Sequence, residues 1–312
     1  MKKLFPILMA LALISTACQL GGGQAQPTPL SVPTAFPTNA PVALNPTAQP
    51  SGNNQAAGSE RTSADGMTEI FVPAGTFQMG GVDPAAAENE KPVHKVTMHA
   101  FWMDKFEVTN AMYLQCVKAG ACPPPQALKS ETRVSYFNNP DFNDYPVVEV
   151  TWGEADTYCK WAGRRLPSEA EWERSARGDT INTYPWGEQQ PDATLANFNY
   201  QLGDTARVGS YPAGASPFGI MDLAGNVAEW VNDYFQENYY SNGPATNPSG
   251  PLARSNFFNR VVRGGTFADA ARDIRVSKRS QVLGPNPQAN QGSAAYFGDF
   301  SPRIGFRCAS DN

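Results

Sequence analysis

In "RRLPSEAEWE", Arg164 to Glu173, a proline precedes Ser168, and Glu171 follows the serine three residues later. A hydroxyl at the N-cap and a glutamate at the third helical position satisfy each other's backbone N–H groups, a capping box. A helix therefore starts after Ser168 and runs through "EAEWERSAR" until Gly178 stops it. Working outward, Thr151 and Glu154 repeat the device ahead of "WGEADTYCKWAG", which closes at Gly163. Thr109 is placed to cap "NAMYLQCVKA", with Gly120 as its stop. In the middle helix Ala155, Cys159 and Ala162 share one face, so Cys159 points into a core.

Around these helices the texture is that of short strands and loops. "TEIFVPAGTFQMGG" places Ile70 and Val72, then Phe77 and Met79, on either side of a Pro-Ala-Gly turn, and reads as a hairpin. "HKVTMHAFWMDKFEVT" reads as another strand pair. After Gly178 the chain reads as loops and short strands to its end. Gly and Pro number 27 each in 312 residues, too many breakers for long regular elements. The 41% hydrophobic residues are nonetheless enough for a core. A net charge of −5 without a basic run argues against a nucleic-acid partner.

The first residues read as an export signal. Lys2 and Lys3 precede an apolar run, Leu4 to Ala17, too short to span a bilayer comfortably. The run ends "STAC", which resembles a bacterial lipobox with Ser15 where leucine is usual. On this reading residues 1–18 are a lipoprotein-type signal, and a lipid on Cys18 anchors the protein to a membrane of the bacterial envelope, outside the cytoplasm. Gln19 to Ser59 carries no charged residue and is rich in Pro, Thr, Ala, Gln and Asn. Such a segment buries too little apolar surface to offset its ordering entropy, so residues 19–65 read as a disordered tether ahead of a domain over 66–312. Roughly 40 residues at ~3.1 Å each reach on the order of 100 Å when extended. Cys116, Cys122, Cys159 and Cys308 remain, an even number in an exported chain and the arithmetic of two disulfides.

The motifs then become specific. "FVPAGTFQMGG", "FEVTNAMY", "YPVVEVTWGEADTYCKWAGRRLPSEAEWERSARG", "YPWGE", "VGSYPAGASPFGIMDLAGNVAEWVND", "RVVRGGTF" and "IGFRCA" occur in this order. Together they closely resemble the formylglycine-generating enzyme family, the sulfatase-modifying factors, from about Met67 to Ala309. The resemblance implies one α+β domain of loop-rich, C-type-lectin-like fold. It also implies a disulfide between Cys159 and Cys308. Cys116 and Cys122 bracket a helix end, where they could close a small loop.

The resemblance bears on chemistry as well. Oxidases of the family carry two cysteines shortly after the "RGG" strand, and these bind copper(I), a soft ion suited to thiolates. Here the matching stretch is "TFADAARDIRVSKRS", with Ala268, Asp269, Ala270, Ala271 and Arg272 where the pair is expected, so no copper is expected. Iron-dependent relatives use three histidines, whereas this chain has only His94 and His99, which face opposite sides of a strand. A branch acting in siderophore maturation lacks the cysteine pair and keeps an enzyme reading open. Family members also hold structural calcium. The resemblance places one site at "DLAGNVAEW", with carboxylates of Asp222 and Glu229 and carbonyls of Gly225 and Val227. Hard oxygens in a glycine-containing loop suit Ca²⁺. A second site would use Asn197, the Phe198 carbonyl and Asp204. The alternative is that Glu229 pairs with a core arginine.

Six late arginines, Arg263, Arg272, Arg275, Arg279, Arg303 and Arg307, read as salt-bridge partners of Asp222, Asp269, Asp273 and Asp299, or else as an anion pocket. Trp152, Trp161, Trp172, Trp186 and Trp230 read as core. Two functions follow. One is a lipid-anchored, calcium-stabilised binding or scaffold domain with a protein or glycan partner. The other is an enzyme of the superfamily with chemistry other than formylglycine formation.

Overall fold

The computed structural model describes residues 55–252 and 258–311. The expected signal, Cys18 and most of the tether lie outside the described residues. The folded unit starts earlier than residue 66, because β1 (Glu60–Thr62) pairs antiparallel with β2 (Thr68–Val72). Asp65, between them, is buried and accepts from the Tyr158 hydroxyl at 2.6 Å and from the Arg164 guanidinium. Residues 55–65 therefore belong to the domain, a correction to the tether's expected end.

Among the described residues, ten short strands and three helices longer than one turn carry the architecture. The strands after β2 are β3 (Gly75–Met79), β4 (His94–Met98), β5 (Phe101–Asp104), β6 (Ala228–Tyr234), β7 (Asn259–Arg263), β8 (Ser280–Leu283), β9 (Ile304–Phe306) and β10 (Ala309–Asp311). They form sheets in the orders β1-β2-β5-β10, β3-β4 and β8-β7-β6-β9. The helices are α1 (Asn110–Lys118), α2 (Trp152–Trp161) and α3 (Glu169–Arg177). All three begin where the caps place them. Thr109 accepts from Met112 N–H, and both capping boxes are closed.

The expected strands exist, but their partners are exchanged. β2 pairs with β5 and β3 with β4, so one hairpin nests inside a wider pair. Burial explains the choice. β2 is buried from Glu69 to Val72 and β5 throughout, which suits interior strands covered on both faces. β3 and β4 both alternate buried with exposed residues, which suits a sheet wet on one side.

The core lies between the sheets and the helices. Val150, Ala155, Tyr158 and Cys159 pack with Trp230, Val262 and Phe306. Trp172 and Ala176 of α3 pack with Ile70, Val72, Phe101 and Val261. Every residue of α3 is buried, including five charged ones. Arg263 joins Glu169 at 2.5 Å to Glu173 at 2.7 Å, Arg279 grips Glu169 twice, and Arg177 bonds Glu173 and the Gly80 carbonyl. A helix with charges on all sides is stable here because each buried charge meets an opposite one. Two disulfides close the fold, Cys116–Cys122 and Cys159–Cys308.

Candidate functional site

At the end of β7 two glycines turn the chain. A side chain at Gly265, φ +69°, would stand 2.6 Å from the Asp273 carbonyl, so only glycine fits. The turn delivers Thr266 to Asp269, where the Asp269 Oδ2 accepts from Thr266 N–H at 2.8 Å and Thr266 O–H at 2.9 Å. This loop forms one wall of a cleft of about 230 Å³ on the face of the β8-β7-β6-β9 sheet. Ala228, Val262, Val282 and Ile304 supply its apolar lining; Thr266, Asp269, Lys278, Ser280, Ser301 and Arg303 supply its polar one. The stretch where the resemblance looks for copper-binding cysteines thus borders the cleft with Asp269.

The cations here are already held. Lys278 Nζ lies 3.2 Å from Asp273, and Arg303 makes a two-pronged contact with Glu131 at 3.0 and 2.6 Å. Hydrogen bonding from Arg303 keeps the Glu131 carboxyl below its ordinary range. Salt bridging of the late arginines is therefore correct, but the partners differ from the aspartates expected. Arg263 and Arg279 take Glu169, Arg275 takes Glu90, Arg303 takes Glu131 and Arg307 takes Glu229; only Arg272 takes an expected partner, Asp273. Glutamates on distant elements carry no sequence signal of which arginine they meet. Trp172 and Trp230 are fully buried; Trp152 and Trp161 pack against the main core, and Trp186 stacks on Tyr184.

The expected calcium residues fall in one neighbourhood. Asn226 links the two segments: its N–H donates to the Asn197 carbonyl at 2.8 Å, and its side-chain amide donates to Glu107 at 2.8 Å. Gly225, φ +77°, lets the Asn197 carbonyl pass where a side chain would collide at 2.2 Å. Glu229 has its oxygens on Arg307, at 2.7 Å each, and on the Trp172 indole. That is the core-arginine pairing left open above. The Asp204 carboxylate is likewise engaged, by Ser130, Thr132, the Thr205 N–H and Arg133. Phe198 is buried beside Ala196 and Ala224.

What remains unmatched is informative. Burial, with the charges of Asp222 and Glu229 nearby, pushes the Glu107 carboxyl well up. Burial pushes Asp222 up to about 6, although Gly209 N–H donates to it at 2.6 Å. The Asn197 Oδ1 is buried without a hydrogen-bond partner among the described residues. Three buried carboxylates thus feel the charge of one guanidinium, Arg307, which pairs with Glu229 alone; Glu107 accepts instead from the Asn226 side chain and from Val227 N–H at 3.2 Å. The donor set is of the hard-oxygen kind that Ca²⁺ takes, although among the described residues no three acidic, histidine or cysteine side chains are grouped to hold a metal. Carbonyls such as those of Gly225 and Val227 would complete it. Glu107 was not singled out from the sequence; its place two residues before the α1 cap, Thr109, was the available signal.

Comparison with known proteins gives the family. The profile of the sulfatase-modifying factor enzyme 1-like domain matches residues 54–312. The chain belongs to this family. As a sulfatase-modifying factor domain it is 30% identical over 298 residues to the formylglycine-generating enzyme of Streptomyces coelicolor, covering 78% of this chain and 89% of that one. It is 35% identical over 257 residues to the serine/threonine-protein kinase Pkn1 of Chlamydia trachomatis, covering 78% of this chain but only 38% of the kinase. The chain thus spans well under half the length of that relative. Among solved structures, PvdO of Pseudomonas aeruginosa superposes with a TM-score of 0.68 at 24% identity, over 83% of this chain and all of that one. The fold is that of the family, α+β and C-type-lectin-like.

Proposed function

We propose that this sulfatase-modifying factor domain is an extracytoplasmic binding or scaffold module, anchored through Cys18, whose ligand site is the cleft beside Thr266–Asp269. The observation that carries this reading is the cleft lining. It offers hydroxyls, one carboxylate and two already paired cations over an apolar floor, a set suited to recognition. Alanine, aspartate and arginine stand where thiolates would be needed for copper. That Pkn1 matches over only 38% of its length fits a domain that serves as one module beside another. Calcium, held by Asn197, Asp222 and Glu107 with neighbouring carbonyls, would supply loop cohesion and no chemistry. The alternative, an enzyme with other superfamily chemistry, draws on the formylglycine-generating relative.

Ser280→Trp, which fills the cleft from an exposed strand position, provides the test. Proteins captured from the native envelope fraction by the wild-type domain are expected to be lost with the variant at unchanged thermal stability. An unchanged capture profile would remove the cleft as the binding site. A small-molecule product formed from an envelope extract by wild type and not by the variant would establish the enzyme instead.

A further inference from the structure

Strand β8 is an edge of its sheet, with Val262 opposite Ser280, Val261 opposite Gln281 and Arg260 opposite Val282. The direction of its backbone groups follows from the ends of the ladder. Gly284 N–H donates to the Phe258 carbonyl at 2.9 Å, so position 284 faces β7, and by alternation so do Val282 and Ser280. On β7, the Asn259 carbonyl accepts from Phe235 N–H at 2.8 Å, so Asn259 and Val261 turn toward β6 instead. Gln281 and Leu283 therefore face away from the sheet. The Leu283 carbonyl does accept on that outer side, from Asp299 N–H at 2.8 Å. The Gln281 N–H and carbonyl have no partner there among the described residues, and the residue is exposed.

Edge strands are usually guarded by shortness, a proline, a lysine, a bulge or a covering loop; at β8 only its length of four residues and the Asp299 contact apply. β8, "SQVL", has neither proline nor charge, and its register with β7 runs without interruption. Its Ser280 and Val282 side chains line the cleft. The cleft's charges are matched except for one: Lys278 has Asp273 and Arg303 has Glu131, whereas Asp269 Oδ1 makes no hydrogen bond or ion pair among the described residues.

We propose that β8 is a docking edge. An extended segment of a partner protein adds beside it as a further strand, exchanging two hydrogen bonds with Gln281 and laying a lysine or arginine side chain over Ser280 onto Asp269. The residue opposite Gln281 points to the far face. Its two neighbours point to the cleft face, since side chains alternate along a strand. This rests on the cleft being the ligand site and names the kind of partner.

The test titrates the domain with acetyl-Thr-Val-Lys-Val-Thr-amide, with the same peptide carrying Glu for Lys, and with the Lys peptide N-methylated at both valines. Two variants are compared, Gln281→Pro and Asp269→Asn. Proline at position 281 removes an outward N–H and the side-chain bond from Asn259 at 2.7 Å but no ladder bond, so the sheet is retained. The Lys peptide is expected to bind at least tenfold more tightly than the Glu or N-methylated peptide. Gln281→Pro should weaken it at least tenfold, and Asp269→Asn should erase the Lys–Glu difference. The N-methylated peptide reads the same bonds should Gln281→Pro fail to fold. Equal binding of the Lys and N-methylated peptides, no preference for Lys, or no peptide binding at millimolar concentration would overturn strand addition. The Ser280→Trp capture result reads the cleft independently of all three.

Discussion

Asp233 shows how a single buried group can set a pH response. It lies in β6 and accepts from Glu169 N–H at 2.9 Å, at the start of α3. Burial, reinforced by the Glu169 charge, pushes its carboxyl up to about 8. A folded-state value above the unfolded one means that the native state binds more protons between the two. Its contribution to stability is complete below the ordinary carboxylate range and is lost as pH rises through about 8. Asp233→Asn keeps an acceptor for the Glu169 N–H and removes the titration. Urea unfolding is expected to show the variant gaining on wild type between pH 5 and pH 9; a pH-independent difference would refute the assignment. A second residue-scale prediction concerns Asn197, whose Oδ1 has no partner among the described residues. If calcium binds there, added chelator should lower the melting temperature of wild type, and Asn197→Ala should abolish that shift. A melting curve indifferent to chelator would rule calcium out.

At the scale of elements, α3 is the piece on which the sheets converge. Its boundaries were legible because capping is local: Ser168 and Glu171 need only each other and two N–H groups. Its burial was not legible, since "EAEWERSAR" looks like a solvated helix until Arg263, Arg279 and Gly80 arrive from elsewhere. Arg263→Met would leave Glu169 and Glu173 short of a buried partner. Removing one member of a buried ion pair costs about 3–5 kcal/mol, so the variant should unfold at markedly lower urea. A loss under about 1 kcal/mol would mean that Arg279 and Arg177 suffice to compensate both carboxylates. The strand pairing teaches the complementary lesson. "IFV" and "FWM" are continuous apolar runs, whereas "GTFQM" and "HKVTM" alternate. Matching like pattern to like would have paired β2 with β5 and β3 with β4; proximity in sequence paired them otherwise.

At the scale of the whole molecule, the ends of the domain are tied together. Cys159 in α2 is bonded to Cys308, 149 residues away, while the Cys116–Cys122 bridge closes a loop of 6. In the chain-entropy account, a bridge closing a longer loop restricts the unfolded state more. Replacing both Cys159 and Cys308 by alanine should cost about 2–5 kcal/mol. The corresponding change at Cys116 and Cys122 should cost less, as judged by urea midpoints at one pH. Equal losses would point to native packing of the buried sulfurs and not to loop entropy. Around the same bridge, β10 pairs with β5 and Arg165 exchanges backbone bonds with Ala309, so the last residues complete the first sheet.

By itself the sequence determined the three helices with their caps, the cysteine count that allows two bridges, and the motif order that identifies the family. All of these rest on neighbours within a few residues or on a pattern read in chain order. Only the tertiary structure decided which strands pair, which glutamate meets which arginine, and that Glu107 joins Asp222 and Glu229 around Arg307. It also decided that Gln281 turns its backbone outward beside the cleft. Those outcomes depend on long-range register and on compensating charges buried together, and a linear chain carries little local trace of either.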